Sequence, residues 1–381
     1  MKVGIVGCGL IGKRRALVVH QSQDDEAVIV ADVDESRARA LVEETGCLAA
    51  GDWRDVIERD DLEAVVVATP NKFLMPVSVA ALESGKHVLC EKPPGRNFTE
   101  TEQMVAAAQK AERVLKTGFN HRHHPAIWQA HGICAHGEIG ALMFIRAVYG
   151  HGGRPGYDKE WRGNADLAGG GELLDQGAHI VDLCRWFLGD FAEAVGFTNT
   201  FYWDLGNFEN DDHRLPTADR QLPSVTSCSS AIRYRPSAIG NLQSSIRNPQ
   251  LEDNAFALLR TSSGQVAQFH SSWTQWKNRF SFEVFGRDGY VRVEGLGGSY
   301  GTERLEVGKR RMEGGAPAVD VVEFPGPDNS WEEEWQEFTA AIREGRQPLA
   351  NGEDGLQTMR TIAAIYESAQ TGRVVPIKTS S

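Results

Sequence analysis

The chain has 381 residues, enough for about two domains with well-filled cores, and its 40 Lys+Arg against 52 Asp+Glu leave a formal charge of −12. That balance argues against a surface built to neutralise nucleic-acid phosphates or to dock on an anionic membrane. Six scattered cysteines without a C-x-x-C pair suggest neither a disulfide framework nor a thiolate metal cluster, and no leader-like start or membrane-length apolar run is present, so a soluble, cytoplasmic protein without a metal site is expected.

The first third alternates strands and helices. Nearly continuous apolar runs at 2–6, 27–31, 64–68, 86–90 and 114–119 are separated by helix-period segments, the rhythm of a doubly wound parallel sheet covered on both faces. After the first run comes Gly7-Cys8-Gly9-Leu10-Ile11-Gly12, and Asp32 follows Gly12 by twenty residues at the end of the second run. In that context Gly7 permits a tight turn, Gly9 lets backbone approach a pyrophosphate, Gly12 allows close helix packing, and the helix start at Leu10 and Ile11 offers N–H groups to the anion. Asp32 suits the ribose hydroxyls and repels a 2′-phosphate, so NAD is favoured over NADP. The basic run Lys13-Arg14-Arg15 either softens that exclusion or is simply solvated.

Ala68-Thr69-Pro70-Asn71 and Cys90-Glu91-Lys92-Pro93-Pro94 fall at carboxyl ends of predicted parallel strands, where open α/β sheets bind ligands. Lys92 is poised there to contact substrate near a nicotinamide; taken alone it also reads as a solvated lysine.

Near 121–125 the rhythm changes, dividing a dinucleotide-binding domain (1–122) from a substrate-binding and oligomerisation domain (123–381). The second half reads as α+β with a large, mostly antiparallel sheet. It has a strand at 143–149, one helix at 172–188, strands at 255–260, 265–273, 280–285 and 290–293, and two closing helices at 331–343 and 355–370. On a helix, Asp175, His179 and Asp182 form one polar stripe opposite Ile180, Leu183, Cys184, Phe187 and Leu188. A histidine one turn from an aspartate is equipped as a general base. A solvated face or a metal pair are the other readings, but no second histidine sits at the spacing zinc needs. The loop at 150–162 supplies Arg154, Lys159, Trp161 and Arg162, a mixed wall of cations and a stacking ring for a sugar, or a holder of a phosphate or carboxylate, or merely a solvated loop.

Residues 205–250 carry four prolines, seven serines, five arginines and no lysine, without sustained periodicity. They read as a surface insertion, a disordered segment or a stretch foreign to the gene product rather than a lid.

The dinucleotide fingerprint, Ala68-Thr69-Pro70-Asn71, Glu91-Lys92-Pro93, Gly118-Phe119-Asn120-His121-Arg122 and the stretch Gly170-Gly171-Glu172-Leu173-Leu174-Asp175-Gln176-Gly177-Ala178-His179 together resemble the glucose-fructose oxidoreductase/inositol dehydrogenase (Gfo/Idh/MocA) family. One departure is Leu74, where the family pattern commonly has histidine. The resemblance implies a sugar, sugar-nucleotide or cyclitol dehydrogenase with Lys92, Asp175 and His179 as its catalytic group. It also implies Thr69, Pro70, Asn71, Glu91, Lys92 and Asn120 beside NAD, Arg122 among the substrate contacts, and a homodimer or homotetramer built through the open sheet. A member that retains NAD for a net non-redox step such as epimerisation, and a catalytically silent NAD-binding regulator, are the alternatives. From composition alone, limited proteolysis is expected to cut first within 205–250; resistance of that stretch to cleavage would mark it as a lid.

Overall fold

In the computed structural model, residues 1–154, 156–203 and 251–378 are described; the segment 205–250 singled out above lies outside them. The N-terminal half runs β1 (Lys2–Val6), α1 (Leu10–Gln21), β2 (Glu26–Ala31), α2 (Glu35–Thr45), β3 (Leu48–Ala50), α3 (Trp53–Ile57), β4 (Ala64–Val67), α4 (Asn71–Glu83), β5 (His87–Glu91), α5 (Phe98–Ala111) and β6 (Leu115–Gly118). Its six strands pair in parallel in the order β3-β2-β1-β4-β5-β6. The apolar runs become central strands because helices cover both faces: Val65, Val66 and Val67 are fully buried. Succession reverses between β1 and β4, which opens a crevice at their carboxyl ends. Asp34, Asp52 and Asn97 start α2, α3 and α5 by accepting hydrogen bonds from otherwise orphaned N–H groups.

A 3-10 turn at Asn120–His123 leads into α6 (Pro125–Ala135), β7 (Leu142–Gly150), α7 (Ala165–Ala168), α8 (Glu172–Asp175), α9 (Gly177–Leu188) and β8 (Phe191–Asn199). Then follow β9 (Asn254–Thr261), β10 (Val266–Ser272), β11 (Arg279–Gly286), β12 (Gly289–Glu294), β13 (Glu303–Lys309), β14 (Ala318–Phe324), α10 (Ser330–Glu344), α11 (Gly352–Thr371) and β15 (Val375–Pro376). These strands make one nine-stranded sheet, β14-β13-β12-β11-β7-β10-β9-β8-β15, antiparallel at every pairing except β7 with β10. Ile180, Leu183, Cys184 and Phe187 of α9 pack with Ile362 and Ile365 of α11 on its inner face, as the apolar stripe predicts. No described helix is long and apolar enough to cross a membrane.

Three expectations change. The single helix at 172–188 is interrupted at Gln176, between Asp175 and His179, and Asp182, though on α9 with His179, has both carboxylate oxygens taken by Arg122. The closing helices do not serve the second domain alone. Trp331, Trp335 and Phe338 of α10 join Val3, Ile5, Val19 and Leu89 in the first domain's core, and Leu356 of α11 packs beneath β5 and α5.

The third concerns Arg122, expected among the substrate contacts. Its guanidinium is buried and bonded to both Asp182 oxygens at 2.8 and 2.6 Å and to Asp354 at 3.1 Å, away from the crevice. A planar fork satisfied this fully by two helices is a structural tie, not a ligand contact. Removing one member of a buried ion pair strands the other charge, so Arg122→Ala should lose about 3–5 kcal/mol in chemical denaturation while NADH affinity stays close to wild type. A large loss of substrate affinity without loss of stability would return Arg122 to the site.

Candidate active site

One cleft of about 1080 Å³ runs from the β1–α1 turn to the β12–β13 loop. At its first end Gly7 has φ +96°, and a Cβ on Gly12 would sit 1.7 Å from the Gly7 carbonyl oxygen, so the chain there tolerates only glycine. A Cβ on Gly9 would point into open space, and α1 begins with no side-chain cap and no acidic residue. Its first N–H groups are therefore left for an anion. Asp32 is pinned at the rim: Oδ2 accepts from the Cys8 N–H at 2.6 Å and Oδ1 from the Asp34 N–H at 2.8 Å. Leu10, Ile11, Val33, Arg37 and Trp53 line this end. A bare backbone turn, an uncapped helix start and a carboxylate one strand away fit a dinucleotide, whose pyrophosphate and ribose they would hold.

Farther along, Thr69, Pro70, Asn71, Glu91 and Asn120 also line the cleft, with part of their bonding capacity already used. Asn71 Nδ2 donates to the Ala168 carbonyl at 2.8 Å, and Asn120 Nδ2 donates to Ser330 Oγ at 2.9 Å. Glu91 accepts from Arg15 Nε at 2.8 Å. The Thr69 hydroxyl is buried without a hydrogen-bond partner among the described residues. Leu74 is fully buried in the first domain's core.

Lys92 leaves the end of β5 through a cis bond to Pro93. Its Nζ reaches across to the second domain and donates to Asp175 Oδ1 at 2.7 Å and to the Asp175 carbonyl at 2.9 Å. Arg162 Nε takes the other carboxylate oxygen at 3.1 Å, and its guanidinium lies 4.5 Å over the Trp161 ring. Burial works to raise the Asp175 pKa, but Lys92 and Arg162 outweigh it and hold the carboxyl well below its usual range. His179 lines the same cleft on the first turn of α9, 4 % exposed, with Nδ1 unpartnered among the described residues. Burial, then Lys92 and His124, push its imidazole well below the ordinary value, so at neutral pH it is a neutral base.

Of the loop residues, Trp161 and Arg162 line the cleft near Asp175. Arg154 lines it too, but lies largely exposed and paired with Glu160 at 2.7 Å. The structure adds residues the sequence reading left out. His121 stacks on His179 with ring centroids 3.7 Å apart, and Tyr149, His151, Tyr157, Asn278 and Tyr300 complete the wall. His121 stands inside a motif that could have marked it; Asn278 and Tyr300 come from a strand start and a loop with no chemical pattern.

Residues 1–119 match the model described as "Oxidoreductase family, NAD-binding Rossmann fold", and residues 127–292 match "GFO/IDH/MocA C-terminal domain". D-xylose 1-dehydrogenase (NADP(+)) 2 of Haloferax volcanii is 28 % identical over 378 residues, covering 99 % of this chain and all of the relative. Levoglucosan dehydrogenase of Pseudarthrobacter phenanthrenivorans is 25 % identical over 399 residues, covering 97 % and 96 %. A solved levoglucosan dehydrogenase in complex with NADH and L-sorbose superposes with a TM-score of 0.81 at 22 % identity over 99 % of both chains, which is likeness of fold. Two family domains matched in their expected order, over a Rossmann sheet followed by a mixed sheet, place this chain in the GFO/IDH/MocA family of oxidoreductases.

Proposed function

We propose that the protein is an NAD-dependent dehydrogenase that interconverts a secondary alcohol and a ketone on a sugar or cyclitol ring. The observation that carries this is the convergence of Lys92, Asp175 and His179 on the dinucleotide cleft, with the Lys92 ammonium in direct contact with Asp175. NAD, when bound, supplies the hydride acceptor. His179, neutral and desolvated, takes the hydroxyl proton of the substrate. Lys92 stabilises negative charge building on the same oxygen, and Asp175 holds the ammonium in place while offering a carboxylate to a neighbouring hydroxyl. Trp161, Tyr157 and Tyr300 give the apolar ring faces that a polyol's C–H surfaces need, beside polar groups for its hydroxyls. Relatives that act on D-xylose, levoglucosan and myo-inositol support a carbohydrate substrate without selecting among them.

The outer face of the nine-stranded sheet supports assembly as a homodimer or homotetramer: Phe256, Leu258 and Phe197 stand exposed there, and Phe256 stacks on His270 at 4.1 Å. Gel filtration with light scattering distinguishes these states from a monomer.

Asp32 supports NAD over NADP, since a 2′-phosphate beside its carboxylate meets like-charge repulsion, although Arg37 lines the same end of the cleft. NADH should bind more tightly than NADPH by fluorescence titration, and Asp32→Ser should narrow the gap; tighter NADPH binding to the wild type would overturn the preference. Following NADH absorbance over D-xylose, levoglucosan, myo-inositol, free hexoses and nucleotide sugars tests the activity. On a substrate so found, His179→Ala should lower kcat by roughly 10²–10⁴-fold with NADH affinity nearly unchanged. Lys92→Ala should also lower kcat, and the double variant should lose less than the product of the two, because both residues act on one oxygen. Turnover near wild type in His179→Ala would remove it from the mechanism.

A further inference from the structure

Three consecutive glycines, Gly169-Gly170-Gly171, precede the catalytic segment, and no step of the chemistry uses them. Their role is steric. A Cβ on Gly171 would lie 2.1 Å from the Glu252 carbonyl oxygen, and one on Gly170 would lie 2.6 Å from the Tyr366 hydroxyl. The chain entering α8 is thus pressed against Glu252, just before β9, and against Tyr366 of α11.

Glu252 is 3 % exposed, and its side chain meets that segment with directed bonds. Oε1 accepts from the Leu173 N–H at 2.9 Å and from the Tyr366 hydroxyl at 2.8 Å, and Oε2 accepts from the Gly171 N–H at 3.3 Å. Its own carbonyl accepts from the Glu172 N–H at 2.9 Å. α8 starts at Gly171, which has no side chain to cap it, so these N–H groups would otherwise be orphaned in a dry interior. A carboxylate delivered from another element satisfies them and complements the positive end of the turn.

We propose that Glu252 is a positioning residue for the catalytic group: its ionised carboxylate locks the backbone of 171–173, and through it fixes Asp175 against Lys92 and His179 against the substrate oxygen. The proposal rests on the roles assigned above to Lys92, Asp175 and His179.

The charges around Glu252 among the described residues decide its state. Glu172, on α8, is buried without a hydrogen-bond partner for either oxygen beyond the weak pull of the Ser272 N–H; burial, then Asp175, raise its pKa well above the usual range. Lys92 and Asp175 act on Glu172. Asp253 turns the other way, accepting from the N–H groups of Phe201, Tyr202 and Trp203 at 2.8, 2.8 and 3.0 Å. Tyr366, from α11, is held as the phenol by burial and by Glu252 itself. Burial pushes Glu252 up to about 7, against the pull of the Leu173 N–H and the Tyr366 hydroxyl. It is therefore the anion of the cluster above neutrality and takes a proton below it. A protonated carboxyl points one O–H at a donor and releases part of the clamp.

Glu252→Gln imitates that protonated state. With NAD and D-xylose or levoglucosan as the probe, wild-type kcat should fall as pH drops through about 7. In the variant it should stay flat between roughly pH 6 and 8.5 near the wild-type acid level, about tenfold below the alkaline plateau. His179, held well below its ordinary pKa, is not the source of such a limb. Tyr366→Phe removes one bond to the anion and should move the limb upward by roughly one pH unit. A second readout needs no substrate: at one fixed pH, amide exchange in the peptide covering 169–176 should be faster in Glu252→Gln. Because the folded pKa is raised, Glu252 contributes stability below its unfolded pKa that is lost as pH rises through about 7, so the Gln variant should be no less heat-stable than wild type at pH 8. A merely structural role predicts instead a lower Tm with the acid limb intact. An unshifted limb in both variants, or unchanged exchange in 169–176, overturns the proposal. If no sugar is turned over yet exchange rises, the anchoring stands and the dehydrogenase reading is what fails.

Discussion

The contact between Lys92 and Asp175 ties the two halves of the molecule together at the cleft itself. Lys92 follows the last residue of β5 in the first sheet, and Asp175 closes the short helix α8 in the second domain. Taking both charges out of water costs several kcal/mol per ion, and their attraction offsets that only when the remaining bonding positions are filled. They are: Lys92 also reaches the Asp175 carbonyl, and Arg162 takes the second carboxylate oxygen. Two cations around one anion leave a surplus positive charge at the cleft, where substrate oxygen would become negative. An arrangement that stabilises folding is thereby also preorganised for charge that appears only during the reaction.

The base is set by a different constraint. His121 lies almost parallel to His179, 20° between ring planes, and both are buried. Two imidazoles at that distance in a dry site are not both imidazolium. Asn120 Oδ1 lies 3.2 Å from His121 Nδ1 and Glu303 lies 2.9 Å from His124 Nδ1, while His121 Nε2 is buried without a hydrogen-bond partner among the described residues. That leaves His179 neutral, with its position fixed by the His121 face on one side and the Phe119 edge on the other.

The doubly wound half was legible because parallel strands buried on both faces must be continuously apolar, and because the Gly7 to Gly12 turn admits no side chain at two of its glycines. Lys92, Asp175 and His179 were singled out together through motifs that resemble the Gfo/Idh/MocA family, and the fold brings all three to one cleft. Arg122 was misread: its motif position is real, but the residues that consume its guanidinium, Asp182 and Asp354, lie 60 and 232 positions away. Asp182 was misread with it, because it is the partner that takes the Arg122 guanidinium. β13 and β14 were missed since β13 buries Glu303 and Glu306 among its apolar residues and β14 carries Asp320 and Glu323 on an exposed strand, which blurs strand patterning in sequence.

The return of α10 to the first domain shows why the C-terminal sequence belongs to the site. Trp331 lines the cleft, and its ring lies 4.4 Å under the Arg15 guanidinium. Arg15 is buried between Glu91 and Glu334, at 2.6 Å from each. Burial opposes its charge, and the two carboxylates more than restore it. A Cβ on Gly118 would lie 3.0 Å from a Glu91 oxygen and 3.1 Å from Arg15, so a side chain there would press on this cluster and shift it by a few tenths of an ångström. Glu91 is the residue before Lys92, and its carboxylate also faces the Lys92 N–H at 3.3 Å. The position of the lysine is thus fixed from two sides: from the second domain by Asp175, and from beneath by an ion cluster that one helix of the C-terminal region completes. Loosening α10 would take Glu334 away from Arg15 and leave Glu91 as the carboxylate that holds its guanidinium, one residue from Lys92.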